Sequence, residues 1–134
     1  MEEKIKDIYD CIPLEGDDVL VEWYNKVIEK KVDELSVSDV ARCIRQNLFI
    51  ETTYEALLAY LLHNPYEGDL YEGELMEKAS KVDKSIILKH KKTILEVIDS
   101  AEAFSKDNEW LIDEDRIEFD EAISNLKKIV CFFK

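Results

Sequence analysis

The residues of this chain that could bind a metal or act as nucleophiles are few and widely spaced. His63 and His90 are 27 positions apart, and neither has a histidine or cysteine at the spacing of a zinc ligand. An EF-hand loop beginning at Asp107 would have leucine at its fifth position and no glycine at its sixth. The GxSxG and GxxxxGK[ST] motifs are also missing. We therefore expect no metal, no cofactor, no catalytic residue and no enzymatic activity.

Carboxylates and cysteines do not single out an active site either. In a chain with 31 acidic residues, almost any carboxylate pair arises by chance and says little about acid–base catalysis. The three cysteines are far apart and form no CxxC pair, so we expect reduced thiols in the cytoplasm. Cys43 lies among apolar residues at helical spacing and is predicted to be a small buried side chain.

Charge is the unusual feature of the composition. The formal net charge of −13 exceeds the magnitude of about 2–8 that suits a small soluble domain. Such an excess of negative charge disfavours binding to nucleic acid and to anionic lipid. Two interpretations stay open: the carboxylates keep the protein soluble, or they form a surface that binds a basic protein. The acidic N-terminus and the short apolar run at residues 56–62 predict neither a secretory signal nor a membrane helix. We expect a cytoplasmic protein.

Two acidic segments also carry aromatic residues. Residues 99–121 contain ten carboxylates and Trp110, and residues 66–77 interleave Tyr66 and Tyr71 with five more. Exposed rings beside carboxylates are typical of a protein interface. A solvated face with its rings folded into the core is the alternative, and the sequence leaves both open.

The elements that must position these residues are predicted to be helices. Three glycines and two prolines allow few tight turns, and apolar residues recur at helical spacing. Helix starts are expected at Asp17 or Asp18, Ser36, Thr52, Asp69 and Asp83. The first helix is expected to end at Pro13, a break is expected at residues 90–92, and the apolar run at 129–133 continues the last helix. The prediction is an all-α, single-domain bundle of about six to eight helices over residues 1–134.

A DNA-binding alternative rests on the segment SVSDVARCIRQNLF, where Arg42 and Arg45 could read bases from a helix-turn-helix. No turn glycine separates two helices there, and the basic face that such a protein needs is missing. An Arg45 that pairs internally with a carboxylate is the simpler interpretation.

One stretch resembles a known family. The order DVARCIRQN (39–47), an apolar helix (54–62) and NPYEGDLYEGEL (64–75) resembles immunity proteins of contact-dependent growth inhibition systems, over about 40 of the 134 residues. Glu72 stands where a proline is expected before Gly73, and Phe49-Ile50 replaces a more usual glycine-leucine pair.

The resemblance implies a small, cytosolic, non-enzymatic protein that binds a toxin domain delivered by a neighbouring cell. Many such toxins are nucleases with basic clefts, which an acidic protein could cover. Gly68 and Gly73 are expected to be required by the conformation of the backbone, and Asn64-Pro65 is expected to stop a helix. The predicted contact residues are Tyr66, Glu67, Asp69, Tyr71 and Glu72, followed by Glu109 and Trp110.

An acidic helical adaptor for another basic protein is the alternative function, followed by the helix-turn-helix regulator. The toxin and the oligomeric state are left open.

Overall fold

The computed structural model describes residues 3–104 and 110–132, and α-helices occupy most of them. The helices are α1 (Ile5–Tyr9), α2 (Val19–Val27), α3 (Val37–Arg45), α4 (Ile50–His63), α5 (Glu74–Lys81), α6 (Lys84–Lys89), α7 (Lys91–Phe104) and α8 (Asp113–Phe132). A 3₁₀ turn, Val32–Glu34, lies between α2 and α3. The described residues form no strand beyond one isolated bridge between Lys4 and Lys31. The predicted all-α bundle of six to eight helices is confirmed.

One cluster of buried apolar side chains joins the helices. Helix α5 packs along α8, α3 packs against α4, and α4 also contacts α7. The Tyr54 hydroxyl, buried in α4, donates to the carbonyl oxygen of Ala79 in α5 at 2.9 Å. Full burial of a large apolar side chain contributes about 1.5–3 kcal/mol, so this shared core is what holds the helices together.

Three of the predicted helix starts are confirmed by cap geometry. The carboxylates of Asp18 and Asp83 accept from the backbone N–H two residues ahead. Ser36 and Asp39 form a reciprocal capping box, with Asp39 N–H donating to Ser36 Oγ at 3.0 Å and Ser36 N–H to Asp39 Oδ2 at 3.1 Å. The predicted break is also present, because α6 ends at Lys89 and α7 begins at Lys91.

Three helix boundaries differ from the prediction. Helix α1 ends at Tyr9, before Pro13, because Asp10 adopts the left-handed conformation at φ +52°. Helix α4 begins at Ile50 rather than at Thr52, after a left-handed Phe49. Helix α5 begins at Glu74 rather than at Asp69, because residues 64–73 fold into a loop of their own.

The turn between α3 and α4 is built without glycine. Asn47 and Phe49 both adopt left-handed backbone angles, with φ of +56° and +52°. Asparagine tolerates this region, whereas a bulky residue is strained in it. The Phe49 ring is partly buried and lies 5.0 Å from the ring of Tyr9 and 6.0 Å from that of Tyr24. We infer that this packing offsets the strain at Phe49.

Candidate partner-binding site

The loop of residues 64–73 connects α4 to α5 and closes on itself through its backbone. Asn64 Oδ1 accepts from the Tyr66 N–H at 3.0 Å, and the Gly73 N–H donates to the Tyr66 carbonyl at 2.8 Å. Pro65 follows Asn64, the C-cap residue of α4, and is buried. Asparagine followed by proline thus ends α4 and starts the loop, as the sequence predicted.

The carboxylate of Glu74 is the anchor of this loop. Its side chain has no exposed surface. Oε1 accepts from the N–H groups of Asp69 and Leu70, both at 2.9 Å, and Oε2 lies 2.8 Å from Arg45 Nη1. A buried carboxylate needs such partners, since an unpaired one is costly. Arg45 therefore pairs internally with a carboxylate, as predicted.

Both glycines of the loop are required because neighbouring atoms come too close to leave room for a side chain. A Cβ on Gly68 would lie 1.9 Å from the carbonyl oxygen of Tyr71. Gly73 has a φ of +84°, and a Cβ there would lie 3.1 Å from ring atoms of both Trp110 and Phe119. The predicted backbone role of these two glycines is confirmed.

An aromatic cluster joins the loop to the start of α8. The ring centroids of Tyr66 and Trp110 are 5.4 Å apart in an edge-on arrangement, and each lies 5.2 Å from that of Phe119. Aromatic pairs at this separation are favourable beyond the area that they bury. Tyr66 and Trp110, 44 positions apart in the chain, are thus brought together on one side of the bundle.

The other predicted contact residues differ in whether their side chains form ion pairs or hydrogen bonds within the chain. Asp69 Oδ2 lies 3.3 Å from Arg45 Nη2. The Tyr71 hydroxyl donates to Glu77 Oε2 at 2.5 Å. Glu67 and Glu72 are half-buried, and neither carboxylate takes a hydrogen bond or ion pair from another residue within 3–104 or 110–132. Glu109 lies outside the described residues.

Charges between α5 and α8 are coupled through Glu77. Burial would raise the pKa of Glu77, but hydrogen bonds from Lys81 and Tyr71 hold it below its ordinary value. Burial and the same hydrogen bond raise the pKa of Tyr71. The carboxyl of Glu118 hydrogen-bonds to Glu77, and this raises the pKa of Glu118. Glu77 therefore links Tyr71 of the loop and Lys81 of α5 to Glu118 of α8.

Neither a metal site nor a membrane helix is found in the part of the chain that the structure describes. No group of three or more potential ligands converges there, and no helix is both long and apolar enough to cross a bilayer. An apolar groove of about 470 Å³ lies between the 3₁₀ turn and α4 and contains His63 but no cysteine or serine. Cys43 is buried, as predicted, and burial raises the pKa of its thiol to about 12.

A family model described as CDI immunity proteins matches residues 8–97, which are 90 of the 134 residues. The chain belongs to the CDI immunity protein family. The resemblance seen in DVARCIRQN and NPYEGDLYEGEL, to immunity proteins of contact-dependent growth inhibition systems, is confirmed. No curated protein matches this sequence.

In this CDI immunity protein, the matched segment contains the 64–73 loop and both partners of the Arg45–Glu74 pair. It ends at residue 97, before Trp110 and α8. The candidate surface therefore combines a loop inside the matched segment with a helix start beyond it.

Sequence reasoning missed the apolar residues on this side of the immunity protein. Leu70, Leu111 and Ile112 are exposed, although all three are large and apolar. Their signal in the sequence was an apolar side chain in a polar segment, within two residues of Gly68 or Trp110. Leu70 was expected to lie in a helix that starts at Asp69, and the structure places it in the loop before α5 instead.

Proposed function

We infer that this chain binds the cognate toxin domain of a contact-dependent growth inhibition system and neutralises it without catalysing a reaction. Membership of the CDI immunity family carries this proposal. The contact between Tyr66 and Trp110 supports a single binding surface, because it joins the 64–73 loop to the acidic first turn of α8.

The proposed partner is a basic protein, and a nuclease is the favoured class. A nuclease binds a polyanion, so its active-site cleft carries positive charge. The chain has a formal net charge of −13, and Asp113, Glu114 and Asp115 all lie in the first turn of α8. Opposite charges steer two proteins together and raise the association rate, which suits capture of a toxin on arrival in the cytoplasm.

The proposed contact residues fall into two groups. Glu67, Glu72 and the partly exposed Trp110 are proposed to touch a partner directly. Tyr66, Asp69 and Tyr71 are proposed to shape the surface through the ring, ion-pair and hydrogen-bond contacts described above. Glu109 is included from the sequence alone.

The test is a growth-rescue assay with the C-terminal toxin domain encoded by the gene immediately upstream. Co-expression with the immunity protein should restore growth, and a toxin domain from an unrelated system should remain lethal. Purified toxin domain and immunity protein should also co-elute, with an association rate that falls as salt rises. If the toxin domain is lethal and this chain gives no protection, the proposed function is wrong.

A further inference from the structure

The side of the molecule that carries the 64–73 loop also carries a cluster of apolar side chains exposed to solvent. Leu70 is 68% exposed, Leu111 is 96% exposed and Ile112 is 50% exposed. Trp110 precedes Leu111 and Ile112 in the chain and is half-buried. We name these four residues, Leu70, Trp110, Leu111 and Ile112, the Leu111 patch.

Contacts through Trp110 bring the members of the Leu111 patch into one neighbourhood. The Trp110 ring lies against the bare Cα of Gly73, three positions after Leu70. Leu111 and Ile112 follow Trp110 directly, and consecutive Cα atoms are only about 3.8 Å apart. The patch is therefore formed by one turn of the loop and the residues that lead into α8.

The backbone beneath the patch is fixed on both sides. The Leu70 N–H donates to the buried carboxylate of Glu74 at 2.9 Å. The Ile112 carbonyl accepts from the Asp115 N–H at 3.2 Å, at the start of α8. The apolar side chains are thus displayed from ordered backbone, which favours their use in recognition.

The residues of the Leu111 patch have carboxylates as close neighbours in the sequence. Asp113, Glu114 and Asp115 follow it in the first turn of α8, where the positive end of the helix dipole stabilises negative charge. Glu72 follows Leu70 by two residues in the loop, and its carboxylate has no partner among the described residues. An apolar centre with a charged rim is the usual arrangement of a protein interface.

We propose that the Leu111 patch is the centre of the toxin interface and receives an apolar side chain of the toxin that lysine or arginine residues flank. This inference rests on the proposed function and adds where, and by what chemistry, the toxin binds. Charge complementarity selects this occupant. A second copy of the chain would place the same carboxylates against each other, and an anionic lipid surface would be repelled in the same way.

The test introduces the same charge at exposed apolar residues in two different places. Leu111→Asp introduces a charge into the patch, and Ile12→Asp introduces the same charge at a residue that is 76% exposed near α1. The measurement is the Kd for the toxin domain encoded upstream, by calorimetry. Because an interface centre carries most of the binding energy, Leu111→Asp should raise the Kd about tenfold or more, and Ile12→Asp less than about twofold.

A second pair of variants tests the charged rim. Asp113→Asn combined with Glu114→Gln, and Glu15→Gln combined with Asp17→Asn, each remove two exposed carboxylates, so the two variants have equal net charge. The rim variant should lower the association rate at low salt several-fold more than the remote variant. Equal effects would indicate that only total charge matters. They would overturn the proposal that the carboxylates beside the patch raise the association rate.

The outcomes separate this inference from the proposed function. If the wild-type chain does not bind the toxin domain, the proposed function fails. If the wild-type chain binds and Leu111→Asp binds equally well, with both variants unfolding at the wild-type temperature, the Leu111 patch is not the interface centre and only this inference fails. Leu111→Ala serves as a milder second variant and should also weaken binding.

Discussion

Arg45, at the end of α3, and Glu74, at the start of α5, form an ion pair in which Nη1 lies 2.8 Å from Oε2. The Glu74 carboxylate has no exposed surface, and its other oxygen accepts two backbone N–H groups of the 64–73 loop. One side chain therefore links a helix end, a helix start and the loop between them. The conformation of the surface that we propose for the toxin depends on this pair.

Loss of Arg45 should be strongly destabilising. Arg45→Ala leaves the Glu74 carboxylate buried without its positive partner, and breaking a buried pair from one side costs about 3–5 kcal/mol. Lys89→Ala is the control, since Lys89 pairs at 3.1 Å with Glu51 and both side chains are more than half exposed. An exposed pair contributes about 0–1 kcal/mol. Urea denaturation of the two variants measures the difference, and equal losses would contradict the role of Glu74 as an anchor.

Gly68→Ala should be less stable than Gly16→Ala. A Cβ at position 68 would overlap the Tyr71 carbonyl, so the loop backbone would have to move, at a cost of about 2–3 kcal/mol or more. Gly16 has a φ of +127° but no atom within 4 Å of the added Cβ, so only the strain of a sparsely populated backbone conformation, about 1–3 kcal/mol, applies there. Thermal unfolding of both proteins would show the order, and a smaller loss at position 68 would contradict the close approach.

Phe49→Gly should be more stable than Phe49→Ala, the reverse of the usual order inside a helix. Both variants lose the ring contacts with Tyr9 and Tyr24. Only alanine retains the penalty for a side chain at φ +52°, which is about 1–2 kcal/mol, against the smaller backbone cost of glycine. The free energies of unfolding of the two variants decide this prediction. A more stable alanine variant would show that the turn adopts another conformation.

Asp39 should contribute to stability at neutral pH and lose that contribution in acid. Burial would raise the pKa of its carboxyl, but hydrogen bonds from Lys30, the Ser36 N–H and the Trp23 indole hold it below its ordinary value of 3.8. The folded chain therefore binds the proton more weakly than the unfolded chain does. The contribution is present above pH 3.8 and disappears as the pH falls through the folded pKa.

Unfolding free energies between about pH 5 and pH 2 test this prediction. Asp39→Asn should be less stable than the wild type at neutral pH, and the difference should shrink toward the acid end. Asp33→Asn, which changes an exposed carboxylate of the 3₁₀ turn, is the control and should follow the wild-type curve. A constant difference between Asp39→Asn and the wild type would count against the linkage.

Local signals predicted most of the fold. The Ser36 capping box, the Asp83 cap and the break near His90 each depend on residues within four positions of one another, so the sequence displays them directly. The same reasoning failed at Asp69, which has Glu72 three residues later and therefore matches the capping pattern. Its N–H instead donates to Glu74, whose carboxylate is held by Arg45 from 29 positions away. A contact between residues so far apart in the chain produces no local motif or periodicity in the sequence.

The candidate site was only partly predictable for the same reason. The motif that carries the resemblance located the loop, and its glycines and Asn64-Pro65 play the expected backbone roles. Whether Tyr66 and Tyr71 face a partner or their own chain depends on α8 and α5, and the packing of these helices is not visible in the spacing of residues. The exposure of Leu111 could not be predicted either, because it depends on whether another part of the chain covers the residues before α8.

The hydrogen bonds from the loop to Glu74 also affect the thermodynamics of association. Ordering a flexible backbone costs about 1–2 kcal/mol of conformational entropy per residue, and a mobile loop would lose this when its partner arrives. Here the amides of Asp69 and Leu70 are already hydrogen-bonded to Glu74 in the chain without its partner. A preorganised loop of this kind lets more of the contact free energy appear as affinity, and allows docking to proceed without a slow rearrangement.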